Sequence, residues 1–363
     1  MKNYTEINKI QEDVISKHKK RSSIFLSVGL GKTYLALKYA CNNFKNKKIL
    51  FTGEKIIYLE NAKKELFNLT SDIIDINYVC LDSLKNEIKF YDLIIYDESH
   101  IGTGIFVNYL EQILKINPNI EVLCLTGTPK YKDNDFKRLL NLCPEIYNYV
   151  TSEAIENKLI NDIEIIPIYH ELSKEKNIYV KTDKFNFYTS EQNSYNSLYK
   201  KYENLIFKGG FSKELSYLKL FFKNLKSKEI ILKSLLSKDK TLIYAGSIEQ
   251  ADRLKEDLKC GAYHSKQTKD INKIMYNNFF NDTINILINV NGIKESANIK
   301  NLKIGIIMSV DAASHGFEQI LGRFGRLIPE KEIGKVYVII AKNTIEEQWF
   351  EKATINLKFK IIK

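Results

Sequence analysis

The stretch from Ser23 to Thr33, SIFLSVGLGKT, carries the residues needed to hold a polyphosphate. An apolar run, Ile24-Phe25-Leu26, leads into a turn through Gly29 and Gly31 and then to Lys32-Thr33, with a helical pattern from Tyr34 onward. A strand, a glycine turn and a helix N-terminus together aim backbone N–H groups at phosphates. Lys32 adds a cation and Thr33 a hydroxyl for Mg²⁺. The full pattern G-x-x-x-x-G-K-[ST] has a glycine where this chain has Leu26, so alone the stretch also reads as a glycine turn with a surface lysine. Asp97-Glu98 follows the apolar segment LIIY at 93–96. Mg²⁺ keeps several waters and takes few carboxylates plus phosphate oxygens. An Asp at a strand end can hold a metal-bound water, and the next Glu can orient an attacking water and accept its proton. Alone, such a pair is equally a charge pair at a helix N-terminus.

The third group is set apart by rarity. The chain has 55 basic residues, of which only Arg21, Arg138, Arg253, Arg323 and Arg326 are arginines. On a helix, Gln319, Arg323 and Arg326 share one face. Arginine forks onto phosphate oxygens where lysine acts as a point charge, which is the geometry of an arginine finger closing on a γ-phosphate. The plainer alternative is a basic face that binds a carboxylate or a polyanion directly.

The elements that must position these groups alternate. A helix over 5–18, carrying Gln11, precedes the glycine turn. Strands are expected at Lys48–Phe51, followed by Thr52-Gly53, and at 76–81, 93–96 and 120–125, the last ending in Thr126-Gly127-Thr128-Pro129. Strands alternating with helices predict a parallel sheet, whose ligands bind at the C-terminal ends of the strands. Each polar cluster falls at such an end. A second series follows, with strands at 165–169, 241–245, 284–290, 303–308 and 335–340 and a last helix at 345–358. It has no phosphate cradle of its own, so it is suited to completing the site of the first. The stretch 173–211 is rich in Lys, Asn and Tyr. Tyr188, Tyr195, Tyr199 and Tyr202 could stack on bases, but partly buried helix positions account for them better. Residues 214–236 read as one amphipathic helix facing a core.

A length of 363 residues with 44% hydrophobic side chains suits two domains with real cores. The net charge of +11 favours polyanionic partners, although an AT-rich genome, with its Lys, Asn and Ile, would produce the same bias. Five cysteines without a C-x-x-C pair argue against a zinc site and a disulfide framework. No signal peptide fits the polar start, and no apolar run is long enough to span a bilayer, so a cytoplasmic protein is expected.

Taken in order and spacing, GLGKT, DESH and LTGTP resemble motifs I, II and III of the superfamily two helicases and translocases, and QILGRFGR resembles motif VI. ILFTGEKIIYLENAKKEL resembles motif Ia, with Gly53 and Glu54 where the family usually has Pro. Gln11 matches the adenine-reading position. LIYAGSIEQADRL resembles motif IV, and YHS, with His264, a backbone-contacting element. GIKESANI resembles motif V, with Asn298 at an Asp/Asn position but Ser296 and Lys300 replacing the usual Gly and Pro. VYVIIAKNTIEEQW is similar to the ends of SWI/SNF-type and phage recombination-helicase-type members.

The resemblance implies an α/β chain of two tandem RecA-like parallel-sheet domains, residues 1–150 and 151–363, with the helical segment 173–236 inside the second and an ATP site in the cleft between them. ATP and Mg²⁺ are the implied cofactors. Gln11, Gly29, Gly31, Lys32 and Thr33 would bind the nucleotide, and Thr33 and Asp97 the metal. Glu98, Asp97, Gln319, Arg323 and Arg326 would perform catalysis, and Thr126 and Thr128 would couple it to movement. Thr52, Gly53, His264 and Asn298 would touch the nucleic acid strand, DNA before RNA. The implied activity is ATP-driven unwinding or translocation, and size and composition suit a phage or mobile-element protein in a bacterial host. Such a protein would act as a monomer or loosely joined to a replication, recombination or repair complex. A duplex translocase that does not separate strands, a motor subunit of a restriction or defence complex, and a binding scaffold that has lost hydrolysis are the alternatives.

Overall fold

The computed structural model describes residues 4–27, 29–54, 56–159, 162–181, 185–206, 213–290, 299, 302–310, 317, 320–321, 333–355 and 360–362. The chain divides into two compact units, one of Met1–Asn161 and one of Asp162–Phe324 with Glu330–Lys363.

The first unit opens with helix α1 (Tyr4–Ser16) and strand β1 (Arg21–Leu26), then runs α2 (Lys32–Asn43), β2 (Ile49–Gly53), α3 (Ile56–Leu69), β3 (Ile76–Cys80) and β4 (Leu93–Tyr96). It continues through α4 (Thr103–Ile116), β5 (Glu121–Thr126), α5 (Asn134–Leu142), β6 (Glu145–Tyr149) and α6 (Thr151–Glu156). The six strands form one sheet in the order β3-β2-β4-β5-β1-β6, and every pairing is parallel. Because side chains alternate along a strand, the sheet feeds two cores. Ile24, Leu26, Ile49, Phe51, Ile95 and Leu125 pack under α1, α2, α3 and α6. Phe25, Leu50, Ile94, Tyr96, Val122 and Cys124 pack under α4 and α5. Strand β6 is not among the strands expected from the sequence. Its segment EIYNY has only partial burial, so its apolar signal is weak, and its place beside β1 at the sheet edge comes from pairing.

The second unit is built on a seven-stranded sheet in the order β11-β12-β10-β13-β14-β7-β15, again parallel throughout. Its strands are β7 (Asp162–His170), β10 (Thr241–Tyr244), β11 (Gly261–Tyr263), β12 (Ile286–Asn289), β13 (Ile304–Ile307), β14 (Ile333–Ala341) and β15 (Lys360–Ile361). The described helices are α7 (Glu191–Ile206), α8 (Lys213–Lys223), α9 (Lys226–Leu235), α10 (Ile248–Leu258), α11 (Lys269–Phe280) and α12 (Ile345–Thr354). Two segments differ from their sequence reading. The single helix expected over 214–236 is broken at Asn224-Leu225, where Leu225 takes an extended conformation and is buried. The first part of the Lys/Asn/Tyr-rich stretch is an antiparallel ribbon, β8 (Ile178–Lys181) with β9 (Asn186–Thr189).

The tyrosines weighed as base-stackers are distributed unequally. Tyr195 is buried, accepts a hydrogen bond from the Ile345 N–H at 2.9 Å, and shares a core cluster with Tyr199, Tyr202, Phe222 and Trp349. Tyr188 is on the ribbon and exposed. No helix among the described residues is long and apolar enough to cross a membrane. All five cysteines are free thiols.

Candidate nucleotide site in the first unit

The turn after β1 takes its shape from two glycines, Gly29 with φ 100° and Gly31 with φ 74°, both in the left-handed region. Gly31 caps α2, so Lys32 and Thr33 are the first helical residues and the N–H groups of that turn are available to an anion. Gly31 is needed for a second reason. A Cβ there would stand 2.8 Å from Gln11 Nε2, which donates to the Leu30 carbonyl at 2.9 Å. Gln11 on α1 is thus packed onto the turn, and its other amide atom, Oε1, is buried with no hydrogen-bond partner.

Strand order brings the carboxylates to this turn. β1 lies beside β5 and β5 beside β4, so the ends of three consecutive strands converge. Thr33 Oγ1 donates to Asp97 Oδ2 at 2.8 Å. Lys32 Nζ donates to the Leu26 carbonyl at 3.3 Å and lies 3.8 Å from Glu98 Oε1. The backbone holds the carboxylates in place: Asp97 N–H donates to the Thr52 carbonyl and Ser99 N–H to the Leu125 carbonyl. Glu98 has φ 51°, a left-handed conformation that non-glycine residues seldom adopt and that is concentrated at functional sites. Burial pushes the Asp97 carboxyl above the usual carboxylate range; the Lys32 ammonium, the Thr33 hydroxyl and the Glu98 N–H oppose it.

These residues fit a nucleotide-bound Mg²⁺. A carboxylate and a hydroxyl oxygen already sit within hydrogen-bond distance of each other beside a phosphate-sized turn, and a desolvated carboxylate gains from a cation. Among the described residues no group of three or more His, Cys, Asp or Glu could hold a metal ion unaided.

The end of β5 adds a connection that the sequence reading missed. His100 Nδ1 is 2.7 Å from Thr126 Oγ1 and 3.5 Å from Glu98 Oε2, and the Thr128 N–H donates to Thr126 Oγ1 at 3.1 Å. The only available signal was the position of His100 two residues after the candidate base. The side-chain hydroxyls of Thr52, Ser99 and Thr128 are buried without a hydrogen-bond partner.

The structure thus brings together Gln11, Gly29, Gly31, Lys32, Thr33, Asp97, Glu98, Thr126 and Thr128. Thr52 and Gly53 are buried at the end of β2. His264, in the second unit, is buried with Nε2 2.9 Å from Asp252 Oδ1, and Asn272 brackets its backbone on both sides. Gln319, Arg323, Arg326 and Asn298 lie outside the described residues.

Residues 225–328 match the family of the helicase conserved C-terminal domain. The helicase domain of Hef from Pyrococcus furiosus superposes with a TM-score of 0.56 at 14% identity, over 94% of this chain and 96% of that one. Both parallel-sheet units therefore have their counterparts in a solved helicase domain. The fold is two RecA-like parallel-sheet units, as in that helicase domain. Saccharomyces cerevisiae Dbp5 bound to RNA and ADP BeF3 gives a TM-score of 0.62 at 12% identity, over 98% of this chain and 89% of that one. The ATP-dependent Type ISP restriction-modification enzyme LlaBIII bound to DNA gives 0.60 at 13% identity; the match spans all of this chain but 31% of that much longer one. No curated protein matches the chain in sequence.

Proposed function

We propose that this chain hydrolyses ATP and uses the energy to move along, unwind or remodel nucleic acid. The observation that carries the proposal is the gathering of Lys32, Thr33, Asp97 and Glu98 at the ends of neighbouring parallel strands, with hydrogen bonds already joining Thr33 to Asp97. In this reading Gly29, Gly31 and Lys32 bind the phosphates, and Gln11 reads adenine through its unpartnered amide oxygen. Thr33 and Asp97 would hold Mg²⁺, whose charge offsets that of the phosphates. Glu98 orients the attacking water and accepts its proton at a carboxylate oxygen. Its left-handed backbone sets that carboxylate between Lys32 and His100.

We further assign catalytic roles to Gln319, Arg323 and Arg326, on their match to motif VI, within a second domain over residues 151–363, with 1–150 as the first. Thr126 and Thr128 couple hydrolysis to movement, and Thr52, Gly53, His264 and Asn298 contact the strand. Nucleic acid is supported by two neighbours of the same fold, one bound to DNA and one to RNA. DNA is taken first, on the resemblance of the C-terminal segment to recombination-type and SWI/SNF-type members.

The test is ATP hydrolysis by the full chain against a panel of single-stranded, duplex and forked DNA and RNA. Lys32→Ala and Glu98→Gln should each lose about a hundredfold or more of the stimulated rate. Full activity in either variant would remove the site assignment. Absence of ATP hydrolysis with every DNA and RNA tested would favour a scaffold that does not hydrolyse ATP.

A further inference from the structure

The ribbon β8–β9 presents two unlike faces. Its register pairs Tyr179 with Tyr188 and Lys181 with Asn186 on one side, and Ile178 with Thr189 and Val180 with Phe187 on the other. The second side is turned inward at its base: Ile178 and Val180 are half-buried and Thr189 is buried. The first side is turned to solvent, with Tyr179 56% and Tyr188 62% exposed and Lys181 and Asn186 exposed beside them. The two tyrosine rings have centroids 5.3 Å apart. Phe185, near the tip, is 65% exposed, with its ring 5.8 Å from that of Phe187.

A solvent-facing side of a sheet is ordinarily polar. A cross-strand tyrosine pair steadies a ribbon slightly, but it does not explain an exposed Phe185 near the tip. Flat rings beside an ammonium and a carboxamide suit an unpaired base: a ring for its face, an amide for its edge and a cation for the adjoining phosphate. Charge favours this occupant over a protein. Lys174, Lys176, Lys181 and Lys184 outnumber Glu175 and Asp183 between residues 174 and 189, in a chain of net charge +11.

We propose that the β8–β9 ribbon binds the unpaired bases of a single strand, which stack on Tyr179 and Tyr188 while Lys181 meets the phosphate. The inference rests on the proposed function and adds a strand-binding surface to it. It also divides the tyrosines of this region by role, because Tyr195 is committed to the core.

The experiment uses the full chain with fluorescein-labelled oligothymidylate and oligouridylate, followed by anisotropy. Tyr179→Ala with Tyr188→Ala should weaken binding about tenfold or more. Tyr179→Phe with Tyr188→Phe, which keeps the rings, should stay within about twofold of wild type. The arm that binds tighter identifies the preferred strand. As a second, independent reading, Tyr188→Trp should add an emission that the oligonucleotide quenches, above the signal of the buried Trp349. Unchanged affinity in the alanine pair, equal loss in the phenylalanine pair, or no quenching at saturation would each overturn the ribbon assignment. Wild type whose hydrolysis is stimulated by nucleic acid, alongside an unaffected alanine pair, overturns the ribbon alone. Wild type that binds neither strand and shows no stimulation overturns the proposed function and the ribbon together.

Discussion

His100 Nδ1 and Thr126 Oγ1, on the ends of neighbouring strands, share a 2.7 Å hydrogen bond. The same imidazole nitrogen is 3.5 Å from the Glu98 carboxylate, and the same hydroxyl accepts the Thr128 N–H. The candidate base is therefore tied to the segment after β5 through one histidine. Replacing Thr126 by Val keeps the shape but takes the acceptor from the buried Thr128 N–H and one partner from the His100 imidazole, at a cost of about 1–3 kcal/mol in stability. The stimulated turnover of Thr126→Val should fall by a larger factor than its affinity for nucleotide. A variant whose turnover and nucleotide affinity both match wild type would deny Thr126 a coupling role.

Gly31 and Gln11 form a second testable pair. Gly31→Ala meets two obstacles, a φ of 74° and the Gln11 amide nitrogen 2.8 Å from the new Cβ. Strain at positive φ costs an alanine about 1 kcal/mol or more, and displacing Gln11 removes its bond to the Leu30 carbonyl. Stability to denaturant should drop in Gly31→Ala, and Gln11→Ala added to it should recover only the part due to the clash, while nucleotide affinity falls in both variants because the double one also lacks the adenine reader. Full recovery would mean that the backbone tolerates a Cβ, contrary to the geometry.

The second unit is held at its strand ends by a buried ion pair. Lys228 on α9 donates to both Glu346 oxygens, at 2.6 and 2.8 Å, and to the Met308 carbonyl. Glu346 in turn accepts the N–H groups of Val310 and Ala341. Burial pushes Lys228 down and Glu346 up, and each partner opposes the shift of the other. Lys228→Met leaves a buried carboxylate without its cation and should cost about 3–5 kcal/mol in denaturant unfolding. Adding Glu346→Gln should return part of that loss, because the charge is removed while the amide oxygen still accepts.

His170 predicts an acid-labile second unit. Its pKa lies below the ordinary 6.5 because it is buried and faces the Lys228 cation, against weaker support from the Glu171 carbonyl and Glu191. Folded His170 therefore binds fewer protons than the unfolded chain at acidic pH. This contribution is intact above about pH 6.5 and is lost as pH falls toward the folded value, at up to about 1.4 kcal/mol per pH unit. The unfolding free energy should fall less between pH 7.5 and 5.5 in His170→Gln than in wild type, and equal falls would assign the acid sensitivity elsewhere.

Much of the first unit can be read along the chain because its signals are local. The glycine turn before Lys32-Thr33, the carboxylates after LIIY and the threonines after the β5 run each announce a strand end, and a parallel sheet gathers strand ends on one side. The same local reading separated two α/β units. Only the tertiary structure decided what depends on strand order and partial burial. β6 is a strand because β1 has an open side to pair with, not because EIYNY is strongly apolar. His100 acts on Thr126 because β4 and β5 are neighbours, and Lys228 meets Glu346 because α9 and α12 converge on β13 and β14. The tyrosines after Ser173 look alike in sequence. Cross-strand pairing sends Tyr179 and Tyr188 outward, while helix packing draws Tyr195 into an aromatic core, and no residue-type pattern separates those outcomes.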